Sequence, residues 1–212
     1  MNTNESYNIH LDFKIQRFNF EDNLYHNEYN FDVILDEDDE EKVIGKGRVF
    51  LYLTNKMFDD GLGWIDFDDI FGDNNHVDFL EELFEGDQYG SVRLKEHYYY
   101  KILDQCSSCN ILIPDRLEIY PEYRNKGYGK IVTKMIRDMF YDSYGIEIIK
   151  AFPLQFESKN AHGIVPEIYE KMRYDLMEQD EDTAQQSLYR MYTSKGYKQI
   201  EYTNLFYYYP EN

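Results

Sequence analysis

The sequence has few cysteines, few basic residues and no long hydrophobic run, and each shortage excludes a class of protein. Its two cysteines, Cys106 and Cys109, form one CxxC pair, whereas a structural zinc site requires about four ligands. We therefore expect free thiols and no bound metal. No segment approaches the ~18 consecutive apolar residues of a membrane-spanning helix, so we expect no membrane insertion. Residues 1–6 lack the basic-then-apolar pattern of a secretory signal, so we expect a cytoplasmic location.

Basic residues are scarce, since 22 Lys and Arg stand against 41 Asp and Glu and give a formal net charge of −19. Binding to nucleic acid depends on contacts between Lys or Arg and phosphates, so this balance argues against a nucleic-acid partner. An acidic surface would steer cationic substrates toward the protein. The same acidity would also serve simply to keep the protein soluble, so the charge alone identifies no ligand.

Aromatic residues are abundant, with 22 Tyr, 14 Phe and 1 Trp in a chain that is 42% hydrophobic. Tyrosine rings bury large apolar areas while their hydroxyl groups find hydrogen-bond partners, so the composition supports a packed core. A length of 212 residues suits a single domain, and no internal repeat or long linker divides it. We therefore expect one domain over residues 1–212.

The N-terminal half shows alternating and helical hydrophobic patterns but carries no motif. In chain order, the patterns predict a strand over 7–18, a solvated acidic hairpin loop over 36–41, a strand over 43–54 and a helix over 66–85 that is broken at 72–75. Residues 98–103 fit either a strand or a helix.

The segment from residue 110 to residue 160 has a clearer pattern. It predicts a strand over 111–120 with a kink or bulge at Pro114 and Asp115, a glycine loop over 124–129, an amphipathic helix over 130–141 and a buried strand over 146–152. A strand, loop, helix and strand in this order form a right-handed crossover unit of an α/β layer. Farther on, the sequence predicts helices over 165–177 and 183–194, a helix stop at Gly196 and one or two strands over 198–209.

The loop before the predicted helix has the chemistry of an anion site. Gly127 and Gly129 lack a Cβ, so the backbone can approach a ligand closely, and the N–H groups that open a helix attract phosphate. The loop is not a Walker motif, because Gly-Lys-Ser/Thr is missing, and it lacks the third glycine of a dinucleotide-binding GxGxxG. A pyrophosphate loop is therefore expected, and a tight turn without a ligand is the alternative.

The spacing Arg-x-x-Gly-x-Gly directly after a strand that ends in Pro-Glu-Tyr resembles the signature of the GNAT superfamily of N-acetyltransferases. The resemblance implies that this loop binds the pyrophosphate of acetyl-CoA, the co-substrate. The cofactor-binding residues that it implies are Ile119, Arg124, Asn125, Lys126, Gly127, Tyr128, Gly129 and Lys130.

A second block, residues 188–197, resembles the later helix of the same family, and its alignment on Gly196 puts the family's frequent catalytic tyrosine at Tyr192. Tyr169 lies in a similar stretch, but an arginine occupies the glycine position there, so Tyr192 is preferred. Two family positions upstream of the tyrosine fall on Gln185 and Leu188, which differ from the family's Asn and small residue.

The resemblance also implies a fold of the α/β (α+β) class. Its central sheet would be mixed and mostly antiparallel, flanked by helices and splayed between the fourth and fifth strands. In this layout residues 1–109 form the first strands and helices, 110–157 the acetyl-CoA-binding core, 158–182 an insertion that shapes the acceptor pocket, and 183–212 the last helix and strands.

The implied reaction is direct attack of a primary amine on acetyl-CoA within a ternary complex. A backbone N–H near Ile119 would polarise the thioester carbonyl, and Tyr192 would act as general acid toward the departing thiolate. Glu118 is the candidate general base, and Asp115 lies beside it. The acceptor, a small-molecule or peptide amine, is not identified.

Two readings compete with an acetyltransferase. A non-catalytic acetyl-CoA-binding or regulatory module of the same fold would keep the loop intact. An acidic protein that mimics nucleic acid for a basic partner would use the charge and would not bind CoA.

Overall fold

The computed structural model describes residues 8–15, 24–63, 84–86, 92–95, 108–157 and 166–210. The strands in these segments, numbered in chain order, are β1 (Ile9–Ile15), β2 (His26–Glu37), β3 (Glu40–Tyr52), β4 (Phe84–Gly86), β5 (Val92–Leu94), β6 (Ile111–Ile119), β7 (Ile146–Lys150), β8 (Lys198–Gln199) and β9 (Leu205–Tyr208). The α-helices are α1 (Thr54–Asp59), α2 (Tyr128–Met139), α3 (Pro166–Lys171) and α4 (Glu181–Ser194). Short 3₁₀ turns cover Pro121–Tyr123, Leu154–Phe156 and Tyr174–Leu176.

Seven strands form a main sheet in the order β1-β2-β3-β6-β7-β9-β8, and β4 pairs with β5 in a separate antiparallel ribbon. Neighbours in the main sheet are antiparallel, except for β6 and β7, which are parallel and joined by the crossover through α2. The prediction of a mixed, mostly antiparallel sheet flanked by helices is therefore confirmed.

The parallel pair is short. Strands β6 and β7 are the fourth and fifth strands of the main sheet, and they pair only at Ile111 with Ile146 and at Leu112 with Glu147. The rest of β6, up to Ile119, has no partner on β7, so a gap opens on that side of the sheet.

The predicted irregularity in β6 is a β-bulge. Arg48 of β3 lies opposite Arg116, and Val49 lies opposite Pro114, so Asp115 is the extra residue in the register of the two strands. One extra residue reverses the alternation of side chains. As a result, Leu117 and Ile119 lie on the face of the sheet that α2 covers. Arg116 and Glu118 lie on the opposite face.

Helix α2 packs Val132 and Ile136, together with Phe140 directly after its end, against the core on one face of the sheet. Their i, i+4 spacing brings all three to the same side of a helix. Helix α4 covers a neighbouring apolar cluster around Ile149 and Phe206. The prediction of α2 is confirmed, with a start at Tyr128 instead of residue 130 and an end at Met139.

The N-terminal half departs from the prediction in one strand. Strand β2 was not expected, and the acidic hairpin joins β2 to β3 through a turn at Asp38 and Asp39, whose φ angles are 55° and 62°. Five consecutive residues of β2, 31–35, are buried, so this part lacks the period of two by which a half-buried strand is recognised. The predicted strand over 43–54 lies within β3 except at its end, where Thr54 begins α1.

Part of the predicted N-terminal structure lies outside the described residues, including most of the helix over 66–85, residues 98–103 and Cys106. The last two residues of that predicted helix, Phe84 and Glu85, lie in β4, so the prediction is wrong there. Cys109 is a half-buried thiol, and burial raises its pKa.

The predicted helix over 165–177 is wrong in its second half. Helix α3 ends at Lys171, and Arg173 follows with a left-handed φ of 46°. Helix α4 is confirmed, and the side chain of Asp180 caps it by accepting a hydrogen bond from the Thr183 N–H at 2.9 Å. Gly196, with a φ of 88°, ends α4 as expected, and the two strands β8 and β9 follow. None of the described helices is long and apolar enough to cross a membrane.

Candidate active site

A cleft with a volume of about 850 Å³ opens where β6 and β7 cease to pair. It is lined by residues of β6 and β7, by one side of α2 and α4, and by the segment 172–178 that follows α3. The second half of the predicted insertion, 158–182, therefore contributes to the walls of the cleft, through Met172, Tyr174, Met177 and Glu178.

The glycine loop borders this cleft through Arg124 and Gly129. Among the described residues, the backbone N–H groups of 125–129 have no hydrogen-bond acceptor, and the first N–H that is bonded belongs to Lys130, which reaches the Gly127 carbonyl at 3.0 Å. These groups stand at the N-terminus of α2, a helix of 12 residues with no acidic side chain in its first turn. Unpaired N–H groups at a helix N-terminus are the usual protein site for phosphate.

Both glycines of the loop leave room for a ligand. Gly127 adopts a left-handed φ of 87°, which costs other residues energy, so a side chain there would strain the loop. Gly129 has ordinary helical geometry, and a Cβ built there or at Gly127 would have no atom within 4 Å. Because Gly129 lines the cleft, the space left by its missing side chain is open to a bound group.

The side chain of Arg124 is occupied by the protein itself. Its guanidinium donates from Nε to the Ile119 carbonyl at 2.9 Å and from a terminal nitrogen to the Met172 carbonyl. Burial lowers the pKa of this guanidinium. Arg124 therefore holds the end of β6 to the segment after α3, and it shapes the loop more than it offers charge to a ligand. The Lys126 ammonium lies 5.2 Å from the centre of the Tyr123 ring.

Tyr192 lines the same cleft from α4, as the motif alignment expects of a catalytic tyrosine. Its ring packs against Tyr197 and Phe206, with ring centres 5.4 and 5.7 Å away. Burial raises the pKa of the phenol to about 12, and the charge of Glu147 contributes. Its hydroxyl group makes no hydrogen bond to any residue that the structure describes. Tyr169, the alternative, packs edge-on against Tyr174 and does not line the cleft.

Glu118 lines the cleft and is buried, with 7% of its surface exposed. Its Oε1 accepts a hydrogen bond from the Tyr174 hydroxyl and lies 3.0 Å from a terminal nitrogen of Arg116. Burial and the Glu118 carboxylate raise the pKa of Tyr174 well above the usual range. The buried carboxylate of Glu118 is therefore held by two donors, and Arg116 also pairs with Glu157. Asp115, beside it, forms an ion pair with Arg48 at 2.7 Å.

The cleft has an acidic end around Glu118. Four carboxylates and two guanidinium groups line this end, namely Glu28, Asp115, Glu118 and Glu157 with Arg48 and Arg116. The excess of negative charge favours a cationic group in that part of the cleft.

The sequence reasoning missed the partners of Glu118. Arg116 could have been found, because residues two apart on a strand lie on the same face. Tyr174 had no signal, since it lies in the segment that was predicted to be helical. The two positions that depart from the family pattern also have clear places: Gln185 donates from its amide to the Ala151 carbonyl, and Leu188 lines the cleft.

Among the residues that the structure describes, no group of three or more His, Cys, Asp or Glu side chains could hold a metal ion. Comparisons with protein-family models, with curated proteins and with solved structures find no match to this chain.

Proposed function

We propose that this protein is an N-acetyltransferase of the GNAT type, which transfers the acetyl group of acetyl-CoA to a primary amine in a ternary complex. The observation that carries the proposal is that Gly129, at the end of the loop 125–129 with its unpaired N–H groups, lines the same cleft as Tyr192. A pyrophosphate would satisfy these N–H groups, and the open space at Gly129 fits its approach.

The unpaired side of β6 provides a place for the pantetheine arm. A strand with free backbone groups binds an extended amide chain as an added strand, which is the mode called β-augmentation. The glycine loop follows the end of β6, so a ligand held at the loop and extended along this side of β6 would pass Glu118 and then Asp115, in the acidic part of the cleft.

Acetyl-CoA supplies an activated thioester, on which the amine forms the new C–N bond while the C–S bond breaks and the sulfur leaves as a thiolate. The protein's part is to hold both reactants in line and to stabilise charge. Tyr192, with a pKa of about 12, is protonated at neutral pH and can donate its hydrogen bond or its proton to the departing sulfur. Because an ordinary thiol has a pKa near 8.5, complete transfer from so weak an acid is uphill, and stabilisation by the hydrogen bond is the larger part of this role.

The amine must lose a proton before or during its attack, and Glu118 is the carboxylate placed for this. Both of its hydrogen bonds fall on Oε1, so Oε2 accepts none from the described residues and is available to an amine or to a bridging water. The acidic end of the cleft favours an acceptor that carries a second positive charge.

The test of the proposal is calorimetric titration with acetyl-CoA, with ATP as a comparison ligand. Gly127→Glu puts a carboxylate among the loop N–H groups and should abolish binding. Gly61→Glu is the matched control, because Gly61 has a similar left-handed φ of 84°, open space around it and no place in the cleft. Micromolar binding of acetyl-CoA to the wild type and to the control variant supports the proposal. Absence of binding to the folded wild type overturns it.

A non-catalytic acetyl-CoA-binding module is the second candidate, and the contacts of Glu118 favour it. A carboxylate held by Tyr174 and Arg116 is also what a purely structural ion pair looks like. This candidate predicts binding of acetyl-CoA without consumption of the thioester when a panel of primary amines is offered. Release of free CoA that depends on the amine would exclude it.

A further inference from the structure

A second pocket, of about 380 Å³, lies beside the cleft along α2. Helix α2 contributes Lys130, Lys134 and Arg137, whose spacing of four and three residues brings them to one side of the helix. Lys195, at the end of α4, and Tyr208, on β9, form the opposite wall. Lys130 belongs to the expected cofactor-binding residues, and no step of the proposed reaction uses the others.

The pocket concentrates positive charge in a chain with a formal net charge of −19. Four cationic side chains line it against one carboxylate, Asp138, which binds Lys134 at 2.6 Å. The charge of Arg137 is partly neutralised by the buried Glu147, whose Oε2 lies 2.7 Å from Nε of Arg137. Lys130 forms no ion pair within the described segments, so the uncompensated charge comes mainly from Lys130 and Lys195.

Lys195 is held in the pocket without an anionic partner. In the described part of the chain its ammonium group hydrogen-bonds only to the Thr133 hydroxyl, at 3.3 Å. Burial lowers the pKa of Lys195 below its usual value, and the positive charges of Arg137 and Lys130 lower it further. The negative charge of Glu147 acts in the opposite direction. An anion in the pocket would offset both the cost of burying the ammonium charge and the repulsion between the positive side chains.

Arg137 also has an unused donor at this place. One terminal nitrogen of its guanidinium is shielded from solvent and has no acceptor among the described residues. The guanidinium carbon Cζ of Arg137 lies 3.5 Å from the ring centre of Tyr208 and 4.5 Å from that of Tyr197, so both rings pack against the group. A buried donor without an acceptor costs stability, so an incoming oxygen atom that satisfied it would be favoured.

We propose that this pocket binds the phosphate monoester of a small molecule that carries an aromatic ring. Phosphate oxygens match a cluster of ammonium groups and a guanidinium, and the rings of Tyr141 and Tyr208 offer apolar surface to a base or another ring. Two sources have this chemistry, namely the nucleotide half of CoA, which carries a 3′-phosphate, and a free phosphorylated metabolite.

The position of the pocket is compatible with the nucleotide half of CoA as its ligand. Thr133 and Lys195 line both the pocket and the cleft, so the two spaces adjoin. Thr133 lies one helical turn beyond Gly129, a rise of about 6 Å along α2. The nucleotide of a CoA molecule whose pyrophosphate is bound at the loop would be long enough to reach the pocket. Only this source rests on the proposed function.

The experiment is calorimetric titration of the full chain with CoA, with dephospho-CoA and with adenosine 3′,5′-bisphosphate. The test variant is Lys130→Gln/Lys195→Gln, and the control is Lys198→Gln, which removes an exposed charge on β8 outside the pocket. Circular dichroism checks that each variant is folded. The test variant loses charge-assisted hydrogen bonds to the phosphate, so we expect its affinity for a ligand that binds in this pocket to fall by about tenfold or more.

If the cofactor is the source, the wild type and the control bind CoA about tenfold more tightly than dephospho-CoA, and the test variant does not discriminate. If a free metabolite is the source, the bisphosphate binds the wild type but not the test variant, and it does not compete with dephospho-CoA. Binding of the bisphosphate that depends on the pocket, in a chain that does not bind acetyl-CoA, would retain the pocket and reject the acetyltransferase. Equal affinities of the wild type and the test variant for every probe would overturn the proposal.

Discussion

Replacing Gly129 by alanine separates the two reasons for which a glycine can be required in the loop. A Cβ at this position meets no atom within 4 Å, and the residue lies within α2, so nothing inside the protein opposes a methyl group. Alanine is a better helix former than glycine by up to about 1 kcal/mol. For a domain of this size, a gain of that order raises the melting temperature by up to about 3 °C.

The same methyl group occupies the open space that Gly129 leaves in the wall of the cleft, next to the loop with the unpaired N–H groups. If a pyrophosphate binds there, it must move away and lose at least one charge-assisted hydrogen bond, each of which is worth about 1.5–3 kcal/mol. The expected result is a dissociation constant for acetyl-CoA that is about tenfold higher or more. Thermal unfolding and calorimetric titration of the same preparation measure both effects.

Gly127→Ala is the matched comparison, because its left-handed φ of 87° makes alanine unfavourable by about 1 kcal/mol. This variant should lose both stability and affinity, whereas Gly129→Ala should gain stability and lose affinity. If Gly129→Ala binds acetyl-CoA as tightly as the wild type, no anion approaches this side of the loop and the proposed binding mode is wrong.

Three further predictions concern single side chains. Tyr192→Phe should lower kcat by about 10²–10⁴-fold and leave the affinity for acetyl-CoA unchanged in titrations, since only the donor to the departing sulfur is lost; an unchanged kcat would remove the tyrosine from the mechanism. Glu118→Gln should lower kcat over the same range of about 10²–10⁴-fold, while Tyr174→Phe, which keeps the carboxylate, should retain activity within about tenfold; similar losses in both variants would indicate a structural role. Asp32 has a pKa that burial would raise but that hydrogen bonds from two lysines hold below its ordinary 3.8, so the stability it contributes is present above that pH and is lost as the pH falls through the lowered pKa. Asp32→Asn should therefore be less stable by about 1 kcal/mol at pH 7 and lose less stability on acidification, as followed by denaturant unfolding at a series of pH values.

The fold could be predicted where the local pattern agreed with the tertiary environment. Helix α2 carries a helical period that matches its buried stripe, and β6 and β7 are short apolar runs next to turn residues, as is typical of buried strands. The bulge was signalled by Pro114 with its missing N–H. Strand β2 was missed because residues 31–35 are all buried and show no alternation, while the charged Asp32 interrupts their apolar run. The predicted helix at 165–177 was too long, because the left-handed turn at Arg173 occurs in a residue with no preference for it.

The candidate site could be predicted where it consists of backbone. The loop at Gly127 and Gly129 was found because glycines and a helix start are visible in the sequence. The environment of Glu118 was hidden, because Tyr174 reaches it across 56 residues of chain and through a segment without a family pattern. The cations along α2 were visible at four- and three-residue spacing, but only the tertiary contact with Lys195 turns that stripe into a pocket.

The distribution of charge around the cleft joins the two proposals. Carboxylates predominate around Glu118, where the amine would be, and ammonium and guanidinium groups predominate beyond the glycine loop, where phosphates would be. A chain with a formal net charge of −19 repels a polyanion such as CoA at long range, so its binding requires a local region of opposite sign. The stripe from Lys130 to Arg137 supplies that region next to the loop N–H groups. The acidic remainder of the molecule then favours a cationic acceptor, so each reactant would be drawn to a region of opposite charge.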